Sequence, residues 1–175
     1  MITWDFDEKK NYIKVGKYKV LNVENPKEAA DLLDKINLLI LRTFLSIAYY
    51  EEITPEINLL LETPYILQEM QFIKDQGSIK FEGLNKPKGV KKSGSISIGL
   101  DGKLRARYRK IFLTLRNKNG TIKNINQLKT LISHELTHTA LNHVTWRYNN
   151  HGKDFNKFNK LILRHFTLIL KNVDI

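Results

Sequence analysis

The run His134-Glu135-Leu136-Thr137-His138 constrains this chain more than any other feature. Two histidines four positions apart lie about 40° from each other around a helix, so both imidazoles can reach one metal ion. Glu135 points about 100° from His134, close enough to hold a water beside that ion without ligating it. Leu128, Ile132, Leu136 and Thr139 recur on the other side of the same helix. The fold must therefore supply a helix with one face in a core and the other open to an ion. With five His and ten Glu in 175 residues, the pattern arises by chance roughly 0.01 times per chain. The competing reading is a surface histidine pair beside a salt-bridging glutamate.

A catalytic zinc takes three protein ligands and keeps a fourth position open. No glutamate follows His138, which leaves His143, His151, Asp154, His165 and Asp174 as candidates. If the helix continues, His143 projects about 180° from His134 and is better read as packing or surface. His165 falls inside a last amphipathic helix, where a packed histidine is expected. His151 sits in the polar turn Asn149-Asn150-His151-Gly152, free to fold back over the ion, with Gly152 permitting an unusual backbone angle. The expected ligands are therefore His134, His138 and His151, with Glu135 as general base and Phe155 anchoring the next helix.

Elsewhere the periodicities predict a strand at Ile2–Phe6, a hairpin from Tyr12–Val15 and Tyr18–Leu21, and a helix from Asn25-Pro26 to about Tyr50. In that helix Asn25 is the expected cap, and Ala29, Leu32, Leu33, Ile36, Leu39, Ile40 and Leu41 the buried face. Pro55 and Pro64 punctuate one or two shorter helical pieces ending near Phe72. Residues 75–101 have loop composition, with a short strand at Ser95–Ile98. A strand at Ile111–Leu115, a turn at Asn119-Gly120 and a helix over 127–141 capped by Asn124 or Asn126 follow. The last helix runs over about 154–170. The expected class is α+β, in one domain over residues 1–175.

Charge is concentrated. Residues 86–130 carry 13 of the 29 basic residues and one acid, Asp101, whereas residues 1–85 are net acidic. Such a segment predicts a polyanion-binding surface, most simply a phosphate backbone, giving affinity without sequence selectivity. Lys88, Lys91, Lys92, Lys103, Arg105, Arg107, Arg109 and Lys110 are the candidate contacts, and Tyr108 could stack on an exposed base. Trp146 and Tyr148 are candidate pocket aromatics. The absence of cysteine excludes a disulfide framework, thiolate zinc sites and a cysteine nucleophile. The longest apolar stretch, residues 36–50, is too short and too polar to span a membrane. The start lacks the features of a secretory signal, so an intracellular location, cytoplasmic or nuclear, is expected.

His134-Glu135-Leu136-Thr137-His138, twelve residues, then His151-Gly152-Lys153-Asp154-Phe155 resembles the SprT-like and WLM zinc metalloproteases. The spacing to His151 is closer to the SprT branch. The run Lys110–Arg116 leading through a turn into the zinc helix looks more like short WLM-type proteins. The resemblance implies a zincin-like metalloprotease core with a small mixed or antiparallel sheet on the H-E-x-x-H helix. It implies Zn2+ on His134, His138 and His151 with Glu135 as base, and the Ile111–Leu115 strand as the edge along which substrate pairs. It also implies protein substrates associated with or crosslinked to DNA. A zinc ribbon is missing, so recruitment to DNA falls to the basic segment. The alternatives are a non-catalytic nucleic-acid-binding module with a structural zinc, or a protease whose basic surface selects acidic proteins.

Overall fold

The computed structural model describes residues 11–71, 82–89, 97–98, 104–143 and 152–175. Strands β1 (Tyr12–Val15) and β2 (Tyr18–Leu21) form the expected hairpin, turning at Gly16 in the left-handed region (φ 58). Helix α1 (Pro26–Tyr50) follows, then α2 (Pro55–Glu62), capped by the Thr54 hydroxyl accepting from the Ile57 amide at 3.3 Å. The predicted strand at Ile2–Phe6 lies outside the described residues.

Three expectations need correction here. Asn25 caps α1 through backbone only: its φ is 59, its side chain makes no cap hydrogen bond, and its carbonyl accepts from Ala29 at 3.2 Å. Leu41 is 48% exposed, since the buried row runs through Leu32, Leu33, Ile36, Leu39, Ile40 and Ile47. The segment after Pro64 is no helix but β3 (Tyr65–Glu69), a strand inside the sheet. Its Gln68 and Glu69 are buried, interior groups of the sheet. Glu69 accepts from the Leu21 amide and from Arg116, both at 2.9 Å or less.

The loop-like segment contains β4 (Gly83–Lys88). Strands β5 (Ser97–Ile98) and β6 (Leu104–Arg105) pair as a separate two-stranded piece, and β7 (Tyr108–Leu113) joins the main sheet. The main order is β1-β2-β3-β7-β4, antiparallel at both ends and parallel where β3 meets β2 and β7. Strand β7 is therefore interior, and β4, not the Ile111–Leu115 run, is the outermost strand on that side among the described residues.

The turn at Asn117–Thr121 leads to α3 (Ile125–Ala140), and α4 (Lys153–Asn172) completes the chain. Leu67, Ile111 and Leu113 of the sheet meet Leu33, Ile36, Leu39 and Ile40 of α1 and Leu128, Ile132 and Leu136 of α3 in one core. Helix α4 packs against α1 and α3, burying Phe158, Ile162 and Phe166. Each such side chain contributes about 1.5–3 kcal/mol on burial, which fixes α3 between the sheet and α4. No helix among the described residues is long and apolar enough to cross a membrane.

Candidate metal centre

Helix α3 starts on a reciprocal cap. The Gln127 amide donates to the Asn124 side chain at 3.0 Å, and the Asn124 amide donates to the Gln127 side chain at 2.9 Å. With that start fixed, Leu128, Ile132, Leu136 and Ala140 point into the core, and His134 and His138 emerge half-buried on the other side. The Ser133 hydroxyl donates to Asn159 on α4, tying the two helices beside the histidines.

The two Nε2 atoms of His134 and His138 lie 3.4 Å apart. Two nitrogens 2.0–2.1 Å from a tetrahedral ion stand about 3.3–3.4 Å apart, so the pair fits adjacent corners of a zinc site. The same distance is long for an N–H···N hydrogen bond. Phe155, in the first turn of α4, forms an apolar wall: its ring centre is 4.9 Å from that of His134 and 5.1 Å from that of His138. Gly152 caps α4 with φ −86, an angle open to any residue, so the expected special angle is not used there. His151, Trp146 and Tyr148 lie outside the described residues. Among the described residues no group of three or more His, Cys, Asp or Glu is arranged to hold an ion; they supply two imidazoles.

Glu135 is 4% exposed, and its side chain has no hydrogen-bond or ion-pair partner among the described residues. Burial pushes its carboxyl up to about 8. It rests against β4: a Cβ at Gly83 would stand 2.9 Å from Glu135 Oε1 and 2.7 Å from a Leu131 methyl. The absent side chain of Gly83 is thus what leaves the carboxylate its place against β4. Asn85 of the same strand donates to the Glu135 carbonyl at 2.6 Å and to the Thr139 hydroxyl at 2.8 Å, pinning α3 to the sheet edge.

His143 belongs to this cluster, against the expectation from a continuing helix. Helix α3 ends at Ala140, and Asn142 takes a left-handed conformation (φ 56). The Asn142 amide then donates to the Thr139 carbonyl and the His143 amide to the His138 carbonyl, both at 3.0 Å. This C-terminal motif folds the chain back over the last turn. It brings His143 Nδ1 to 2.8 Å from His138 Nδ1 and lays its ring nearly parallel to Phe155, the centres 6.5 Å apart. Asparagine two residues beyond a helical run was the signal for this turn. His165, by contrast, is buried as expected, between the Ser46 hydroxyl and Glu51, each at 2.8 Å.

The basic candidates divide. Arg109 is no surface contact: it is 1% exposed and donates to the His143 carbonyl at 2.8 Å. Burial pulls its guanidinium down to about 10, still charged at neutral pH. Its strand position explains this, because Arg109 alternates with Tyr108 and Lys110 and shares the helix-facing side with Ile111. By the same alternation Lys86, Lys88 and Lys110 lie on the opposite face of the sheet, away from α3. Arg107 is exposed at the start of β7, where its amide donates to the Lys88 carbonyl at 2.9 Å, and Arg105 is half-buried in β6. Lys91, Lys92 and Lys103 lie outside the described residues. Comparison with known proteins returns no matching family model, no matching curated protein and no matching solved structure.

Proposed function

We propose that this chain is a zinc-dependent endopeptidase with a zincin-like core, related to the SprT-like and WLM proteases. One observation carries the proposal: two imidazole nitrogens at zinc-ligand separation, with a buried, unpartnered carboxylate one residue away. His134 and His138 would hold the ion, with His151 as the proposed third ligand. Zinc, when bound, supplies Lewis acidity toward a water and the substrate carbonyl. Glu135 accepts the proton of the attacking water on its carboxylate and returns it to the leaving amine. A nearby dication favours the ionised carboxylate, which opposes the effect of burial. Gly83 keeps the carboxylate oxygen unobstructed, and β4, outermost among the described strands, offers an edge along which an extended peptide could pair.

An unpartnered buried carboxylate favours catalysis over a structural zinc, since a structural site is closed by a fourth protein ligand. The proposed substrates are proteins associated with or crosslinked to DNA, with the basic residues holding nucleic acid. Metal analysis joined to a cleavage assay tests this. Wild type and Glu135→Gln should each hold one equivalent of zinc, and only wild type should cleave a DNA-bound protein. Stoichiometric zinc with no cleavage by wild type, with or without DNA, overturns the proposal.

A further inference from the structure

We infer that His143 is a positioning residue: it accepts the Nδ1 proton of His138 and so aims the bare Nε2 of His138 at the metal position. The inference rests on the metal reading above and goes beyond it, since it assigns a role to a residue outside the H-E-x-x-H and H-G-x-x-F elements. A neutral imidazole carries one proton, and a ligand nitrogen must carry none. The contact between His138 Nδ1 and His143 Nδ1, at 2.8 Å, has room for one shared proton. In one arrangement His138 donates it, and its Nε2 carries no proton. In the other, His143 donates, and the proton of His138 sits on Nε2, the atom 3.4 Å from His134 Nε2. The second puts a proton where an ion would bind; the first leaves His138 Nε2 unprotonated at zinc-ligand spacing from His134 Nε2.

His143 is itself held from three sides. Its amide donates to the His138 carbonyl, its carbonyl accepts from buried Arg109, and its ring lies along Phe155. Asn85 stands 3.4 Å from the same Arg109 nitrogen and bonds α3 directly, so strands β4 and β7 fix the turn that carries the acceptor. Partners of this kind orient a ligand histidine and select its tautomer, and losing one typically costs 10- to 100-fold in metal affinity.

The test compares His143→Phe, which keeps a ring against Phe155 but has no acceptor, with His143→Asn, whose side-chain oxygen can take the place of Nδ1. Zinc affinity is measured by chelator competition, with thermal melts of the zinc-free proteins to verify folding. His143→Phe should bind zinc about 10- to 100-fold more weakly than wild type, and His143→Asn within about 3-fold of it. Equal affinity in His143→Phe, or equal loss in both variants, overturns the inference. A second readout needs no metal: nitrogen-15 spectra of zinc-free wild type at pH about 8, where imidazoles are neutral. His138 should show its proton on Nδ1 in wild type and lose that preference in His143→Phe. A proton on Nε2 in wild type overturns the inference. Wild type that binds no zinc yet keeps the Nδ1 proton defeats the metal reading and leaves the tautomer assignment standing.

Discussion

Glu135 shows how one buried side chain couples chemistry to stability. Its folded pKa of about 8 lies above the ordinary value of 4.5, so the zinc-free folded state binds the proton more tightly than the unfolded state. The associated stability is fully present below pH about 4.5 and is lost as pH rises through about 8. Zinc-free wild type should therefore lose stability across that window relative to Glu135→Gln, by on the order of a few kcal/mol at the alkaline end. Denaturant titrations of both proteins at several pH values check this; parallel curves would refute it. Gly83 tests the space around the same group. Gly83→Ala should cost about 1–3 kcal/mol through overpacking, because its Cβ would fall within 3 Å of both Leu131 and Glu135. Cleavage should fall as well, and a fully active, fully stable Gly83→Ala protein would show that the carboxylate rests elsewhere.

At the scale of elements, the two ends of α3 decide what the histidines can do. Asn124→Ala removes the reciprocal cap and should lower stability by about 1 kcal/mol, read as a shifted urea midpoint at unchanged slope. Asn142→Ala puts a Cβ-bearing residue without local hydrogen bonding into the left-handed conformation and should cost about 1 kcal/mol, whereas Asn142→Gly should not. If the turn carries His143 as described, Asn142→Ala should also weaken zinc binding; unchanged affinity would separate the turn from the site. Helices were the legible elements, since α1, α3 and α4 each bury one periodic apolar row. Two strands of the main sheet were not. The interior of β3 holds Glu69, which the Leu21 amide and Arg116 partner, and Gln68, whose buried Nε2 has no hydrogen-bond partner among the described residues; no alternation announces either. The sequence of β4 is Gly-Leu-Asn-Lys-Pro-Lys, poor strand material that pairing with β7 makes a strand. An outermost position tolerates Pro87, whose nitrogen cannot donate to a ladder. The place of His143 is hidden for a related reason: helical periodicity does not reveal that the helix stops at Ala140.

Across the whole molecule, the sheet separates two groups of residues that the sequence placed side by side, the lysines of β4 and β7 and the residues that face α3. Charge counting located the basic segment correctly but was blind to facing, because alternation along β4 and β7 sends Lys86, Lys88 and Lys110 to one side and Arg109 to the other. If nucleic acid binds the lysine side, replacing Lys86, Lys88 and Lys110 with Gln should reduce the slope of log affinity against log salt by about 2–3. An unchanged slope would move the contact to other residues. The pair His134 and Glu135 was legible because its spacing is local, while Gly83, Asn85 and Arg109 reach the site only through long-range pairing. The sheet's thickness then becomes a measuring rule for substrates. Stacked sheets lie about 10 Å apart face to face, which sets the order of a layer's thickness. A polypeptide held on the lysine side must pass around the β4 edge to reach the histidines, and an extended chain advances about 3.3–3.6 Å per residue. If the lysine side anchors a substrate and the proposed activity holds, at least about three unfolded residues must separate the anchored point from the scissile bond. Cleavage would favour attached proteins with a loose end and spare those folded tightly down to the attachment.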